Sequence, residues 1–156
     1  MEYLIGLILA AATVCLATGV GLARERSFYP TVLIVIGSYY VLFAAMAASR
    51  RTLVVESVVA GIFLLFAVIG FKRNLWFVVV ALIGHGMFDF VHHFFIDNPG
   101  VPHWWPGFCL AFDALLGAFL AVRLIRHPRL PPRRGTGRTP TPEPSSLPRA
   151  RSLPLR

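Results

Sequence analysis

The chain has 156 residues, suits a single domain, and is 56% hydrophobic with a mean hydropathy of +0.69. Apolar residues gathered in long runs mark a polytopic membrane protein and set aside an ordinary soluble core. The net charge of +8 does not point to nucleic acid, because nine of the fifteen basic residues lie from Arg123 onward, in a juxtamembrane tail suited to an anionic lipid surface.

Five apolar segments meet the length of about 20 residues needed to cross a hydrocarbon core of about 30 Å. They run over 3–23, 30–48, 52–71, 75–96 and 106–124. No basic region precedes the first run, and Arg24-Glu25-Arg26 closes it, so it reads as a retained span rather than a cleaved signal peptide. Pro30 suits the opening turn of the second span. Ser49-Arg50-Arg51 and Lys72-Arg73-Asn74 are short enough to make their flanking helices antiparallel neighbours. Ala17 with Gly21 and Ala44 with Ala48 have the small-residue spacing that lets helices approach closely, which leaves association with a second copy open. Cys15 and Cys109 both fall within spans, with no CxxC motif, and read as buried unpaired thiols.

The connection from Asp97 to Trp105 differs from the others. It carries no Lys or Arg, and Asn98-Pro99-Gly100 suits a type II turn. Trp104 and Trp105 fit the headgroup belt. Beyond residue 126 the chain is rich in Arg and Pro, with eight prolines and no aromatic residue among its last thirty, which predicts a disordered cytoplasmic tail. The expected organisation is therefore an all-α, five-helix transmembrane domain over residues 1–126 followed by that tail over 127–156. Orientation follows from the bases. With the N-terminus outside, Arg24, Arg26, Lys72, Arg73 and the nine tail arginines lie inside, against Arg50 and Arg51 outside. N-out and C-in is the expectation, in a bacterial inner (plasma) membrane, with the Asp97–Trp105 loop facing out.

The fourth span holds the polar chemistry. At about 100° per residue, with His85 set at zero, Asp89 falls at about +40°, His92 at about −20° and His93 at about +80°. The four share one face, while Met87, Phe88, Phe90, Val91, Phe94 and Phe95 fill the opposite arc. An ionised Asp or Arg near the centre of a span costs about 2.5–3.5 kcal/mol. Two further acids lie in spans. Asp113 and Asp89 each sit about 10 Å below the outer helix ends, and Glu56 about 6 Å below, near His92 and His93. The expectation is one outer-leaflet layer drawn from three helices.

Imidazole with carboxylate suits zinc, iron, manganese or copper. His85 and His93 stand about 12 Å apart along the axis, too far to share one ion. Two arrangements stay open: two ions along the helix with Asp89 between them, or one ion held by Asp89, His92 or His93, and Asp113. In the second, His85 is a deeper proton-relay or orienting group. Asp89 or Asp113 would then act as general acid or base beside a metal-bound water. A proton path is the competing reading, since Asp and His chains are relay material in transporters. The third is simple helix-to-helix hydrogen bonding, worth only about 0.6 kcal/mol per contact on average.

The stretch His-Gly-Met-Phe-Asp-Phe-Val-His-His, with the segment from Cys109 to Asp113, resembles a family of small uncharacterised bacterial integral membrane proteins that have a histidine-rich fourth helix. The resemblance covers most of the membrane part and implies no activity. The shorter His85-Gly86-x-x-Asp89 resembles an element of the membrane-bound carotene-cleaving oxygenases and implies histidine-held iron. Membrane desaturases and hydroxylases carry HxxHH boxes; here Asp89 stands for the first histidine and further boxes are missing. The functional expectation is a metal-dependent, membrane-embedded enzyme acting on a lipid or other apolar substrate. The candidate catalytic residues are Asp89, Asp113 and His85, and the candidate ligands of zinc, iron or manganese are His85, Asp89, His92, His93 and Asp113. A proton or metal-ion transport component, and a structural or assembly subunit, are the alternatives.

Overall fold

The computed structural model describes residues 1–47 and 49–126, and every regular element among them is helical. Helix α1 spans Glu2–Gly19, α2 Phe28–Met46, α3 Arg50–Lys72, α4 Trp76–Val91 and α5 Trp105–Arg126. Single 3-10 turns occupy Leu22–Arg24 and His92–Phe94. Counting α4 together with its 3-10 turn, all five are long and apolar enough to cross a membrane. The Arg/Pro-rich tail lies outside the described residues, as does Ala48.

The boundaries shift where backbone chemistry demands it. Helix α1 ends at Gly19 rather than Ala23, because Gly21 takes a φ of +84°, a left-handed conformation that turns the chain out of the helix. Helix α3 starts earlier than Thr52, with Ser49 as its N-cap: the Ser49 hydroxyl accepts from the Thr52 N–H at 3.4 Å.

Helix α5 packs on both α1 and α4, α4 also packs on α3, and α2 lies on α3 with a smaller contact to α4. Consecutive in sequence, α1 and α2 barely touch. Glycines set the closest seams, as expected where apolar burial gives no net drive and helices associate by close packing. Gly6 faces the Phe108 carbonyl and Gly107 faces Glu2 and Tyr3, with no room for a Cβ at either. A Cβ on Gly86 would stand 3.2 Å from both the Asp113 Cβ and the Leu110 Cα, so this glycine brings the polar face of α4 against α5.

The bundle divides into two halves. In one, Tyr29, Leu33, Ala67, Val78, Leu82, Leu116 and Leu120 form a dry core from the start of α2 and α4 and the end of α3 and α5. In the other, the remaining ends of those helices carry the buried polar groups Glu56, His85, Asp89, His92 and Asp113. Val54, Leu65, Val80, Met87 and Phe90 point outward and are exposed, the surface a bilayer would cover.

Helix α4 contains 16 residues, about 24 Å, which is short for a core of about 30 Å. Non-helical backbone at such depth is tolerated only where protein covers it. Asn98 ties this stretch to the bundle. It is buried; its Nδ2 donates to the Tyr40 carbonyl at 3.3 Å and to Glu56 Oε1 at 2.9 Å, and its Oδ1 accepts the Gly100 N–H at 3.3 Å. The Thr52 hydroxyl donates to the Asp97 carbonyl at 3.0 Å. At Asn98 the loop therefore reaches into the bundle, while Asp97, Pro99, His103 and Trp104 stay exposed. Its turn closes, Val101 N–H to Asn98 carbonyl at 3.0 Å, but it is not type II: among the described residues Gly21 alone combines glycine with positive φ. Gly100 is required for space, because a Cβ there would run into the Phe43 carbonyl.

Candidate functional site

Periodicity places His85, Gly86 and Asp89 on the inward face of α4, while Met87 and Phe90 face out. Directly across the Gly86 seam stands Asp113 of α5. His85 Nδ1 lies 2.8 Å from Asp113 Oδ2 and 3.5 Å from Asp89 Oδ2. One ligand atom from each of the three residues falls within 4.8 Å of the others. His85 is 2% exposed and both acids 0%. The imidazole is clamped by the Phe63 ring, edge-on at 4.7 Å between centroids, and by Tyr40 at 6.4 Å. Neither oxygen of Asp89 makes a hydrogen bond, nor does Asp113 Oδ1. The buried Cys109 thiol and the Tyr40 hydroxyl both neighbour Asp89. Three buried carboxylate oxygens without a hydrogen-bond partner are costly, and the thiol and the phenol are the donors nearest to Asp89.

A second polar group sits nearer the loop. His92 Nε2 lies 2.7 Å from Glu56 Oε1, the oxygen that also accepts from Asn98. Tyr40 packs on the His92 ring at 4.4 Å and Phe88 meets it edge-on at 5.6 Å. The single layer expected from sequence is thus two layers. His85, Asp89 and Asp113 form one; Glu56, His92 and Asn98 form the other, with Tyr40 touching both imidazoles.

Of the residues expected as ligands, the structure brings His85, Asp89 and Asp113 together and leaves His92 and His93 outside that group. His85, placed at the periphery of a one-ion site, is the residue on which both aspartates converge. His92 does not join that group, because Glu56 engages it. His93 is exposed and lies against Phe94 at 3.9 Å. The α-helix ends at Val91, so His93 lies beyond the part of α4 whose polar face is buried. The His85–Asp89 pair forms and the Asp89–His93 pair does not. His103 is exposed in the loop. Glu56 pairs with His92 and not with Arg50 or Arg51.

Sequence reasoning passed over two neutral participants, Asn98 and Tyr40. Asn98 read as a turn residue. The signal that it does more was its place in a base-free loop following a span whose polar face continues to its end. Tyr40 carried no comparable signal, since a tyrosine in a span most simply packs. Comparison with protein-family models, curated proteins and solved structures found no match.

Proposed function

We propose that this protein is a metal-dependent, membrane-embedded enzyme that holds one divalent cation between His85, Asp89 and Asp113 and acts on a lipid or another apolar substrate. The observation that carries the reading is the convergence of the Asp89 and Asp113 carboxylates on His85 Nδ1, with three of their four oxygens lacking a hydrogen-bond partner. Bonds of about 2.0–2.1 Å in a tetrahedral site place neighbouring ligand atoms about 3.3 Å apart. The Nδ1-to-carboxylate distances of 2.8 and 3.5 Å bracket that edge. A neutral imidazole, two carboxylates and a divalent cation sum to zero charge, the least costly total in a low-dielectric interior. One nitrogen with two hard oxygens suits zinc, manganese or iron, and three protein ligands leave a position for water or substrate. Such an ion would supply Lewis-acid chemistry, polarising a carbonyl or phosphoryl oxygen. The unbonded second oxygens of Asp89 and Asp113 are placed to take or give a proton beside it. The base distribution supports N-out and C-in in a bacterial inner membrane, which puts the site in the outer half and the basic tail against the inner surface.

One further observation favours a second reading. His92–Glu56 follows His85–Asp113 along α4 with Tyr40 between them, the layout of a proton or ion path.

Metal analysis of the purified, detergent-solubilised full chain, after growth in zinc-, manganese- and iron-supplemented media, tests the choice. Near one ion per chain is expected in wild type and His92→Gln, and less than a tenth of that in Asp113→Ala. Absence of bound metal in wild type, even after titration, would overturn the metal site and leave the path.

A further inference from the structure

On the side of the bundle where α1 and α2 part, an open-sided cleft of about 690 Å³ lies between α1, α2 and α5. We infer that this cleft is a binding groove for one hydrocarbon tail of a membrane lipid, which lies lengthwise in it with its side against Cys109. The inference deepens the enzymatic reading, on which it rests only for the purpose of presenting the tail to the site.

Three observations argue for a tail. The first is the origin of the gap. α1 is held by α5 and α2 by α3, so α1 and α2 stand apart and a wedge opens between them. A space of this size in a bilayer has no dispersion partners until something apolar enters it, and its volume is that of an ordinary ligand site. The second is length. Along α2 the lining runs from Phe28 to Tyr39, about 16 Å. One leaflet of the hydrocarbon core is about 15 Å, the reach of one lipid tail. The third is texture. A second helix docks through Gly and Ala, as at Gly6 and Gly107 on the α1–α5 seam. The cleft is walled mainly by residues such as Phe28, Val35, Ile36, Phe108 and Phe112, with Thr13, Glu25, Ser27 and Thr31 also in the lining and neither Gly nor Ala. Bulky, ridged, mainly apolar walls suit a thin flexible chain.

The groove also has an address. Its lining includes Cys109, which is 2% exposed and whose thiol neighbours Asp89. That side chain stands between a tail in the groove and Asp89, so the cleft is the apolar surface that adjoins the polar group.

Photo-labelling tests the groove. The full chain is reconstituted in phosphatidylethanolamine–phosphatidylglycerol vesicles containing a phosphatidylcholine with a mid-chain diazirine, irradiated and mapped by mass spectrometry. Labelling over 31–36 and 108–112 is expected to exceed that over 54–58 at least fivefold, although Val54 at 64% and Val58 at 60% are more exposed than Val35 at 47%. Val35→Trp, or Thr31→Phe should the first not fold, is expected to lower groove labelling at least fivefold, and Val54→Trp to leave it unchanged. Labelling that follows exposure alone overturns the groove. So does a Val35→Cys protein that forms disulfide-linked dimers instead of capturing lipid. Enrichment that persists in Asp113→Ala protein without metal upholds the groove whatever becomes of the metal site. Enrichment lost while wild-type metal content stays intact overturns the groove alone.

Discussion

His85 is held by two aspartates and two aromatic rings, and its neighbours respond differently to substitution. Asp89→Asn removes a charge whose oxygens make no hydrogen bond, and a buried amide is cheaper than a buried carboxylate. With wild type and variant both metal-free, stability in a detergent unfolding titration should change by less than about 1 kcal/mol, while metal no longer binds the variant. His85→Leu leaves two carboxylates facing each other without an imidazole, and breaking a buried pair from one side costs about 3–5 kcal/mol. The same titration should therefore separate the two variants clearly. A structural role for the cluster would be marked by Asp89→Asn costing as much as His85→Leu. At this scale the sequence was informative about direction: helical angles put His85 and Asp89 inward, and depth counting set Asp113 level with Asp89. It was misleading at His93, since α4 ends at Val91 and His93, two residues beyond, is exposed whatever its angle.

Two elements set the site's dimensions, the Gly86 seam and the dipped loop. Gly86→Val would place branched carbon where a single Cβ already meets Asp113 and Leu110 at 3.2 Å, so α4 and α5 must part. Metal affinity should fall at least tenfold by competition with a chromogenic chelator, with a smaller fall for Gly86→Ala. Asn98→Leu deletes the donor to Glu56 and to the Tyr40 carbonyl and leaves both under-satisfied. A loss of about 2 kcal/mol is expected, along with faster proteolysis between Asp97 and Trp105, while metal at His85 is retained. Loss of metal in Asn98→Leu would show that the two polar layers are one unit. The length of apolar runs made the helices legible. The loop's descent was not, because it depends on a neutral amide finding Glu56 on another helix, and composition carries no record of such pairings.

Over the whole molecule, five helices long and apolar enough to span a membrane and a base-free loop between α4 and α5 lead to one topological test. His103→Cys and Arg73→Cys, both at exposed positions, should react oppositely with a membrane-impermeant maleimide. His103→Cys should label on intact cells and Arg73→Cys only after permeabilisation; the reverse pattern would invert the proposed orientation and move the site to the inner half. The division into a dry half and a polar half was legible, since the acids and imidazoles occupy matching ends of α3, α4 and α5. The parting of α1 and α2 was not. A short connector suggests neighbours, and only the glycine seam with α5 shows where α1 goes instead.

That seam bears on the order of events during synthesis. The first helix made packs chiefly on the last, and residues 20–104 must be translated between them. At 5–20 residues per second the wait is about 4–17 s. Through that interval α1 stands apart in the lipid and Asp89 has no Asp113 opposite it. Arrival of α5 closes the seam and completes the acid pair in one step, so assembly of this bundle and assembly of its polar centre end at the same moment.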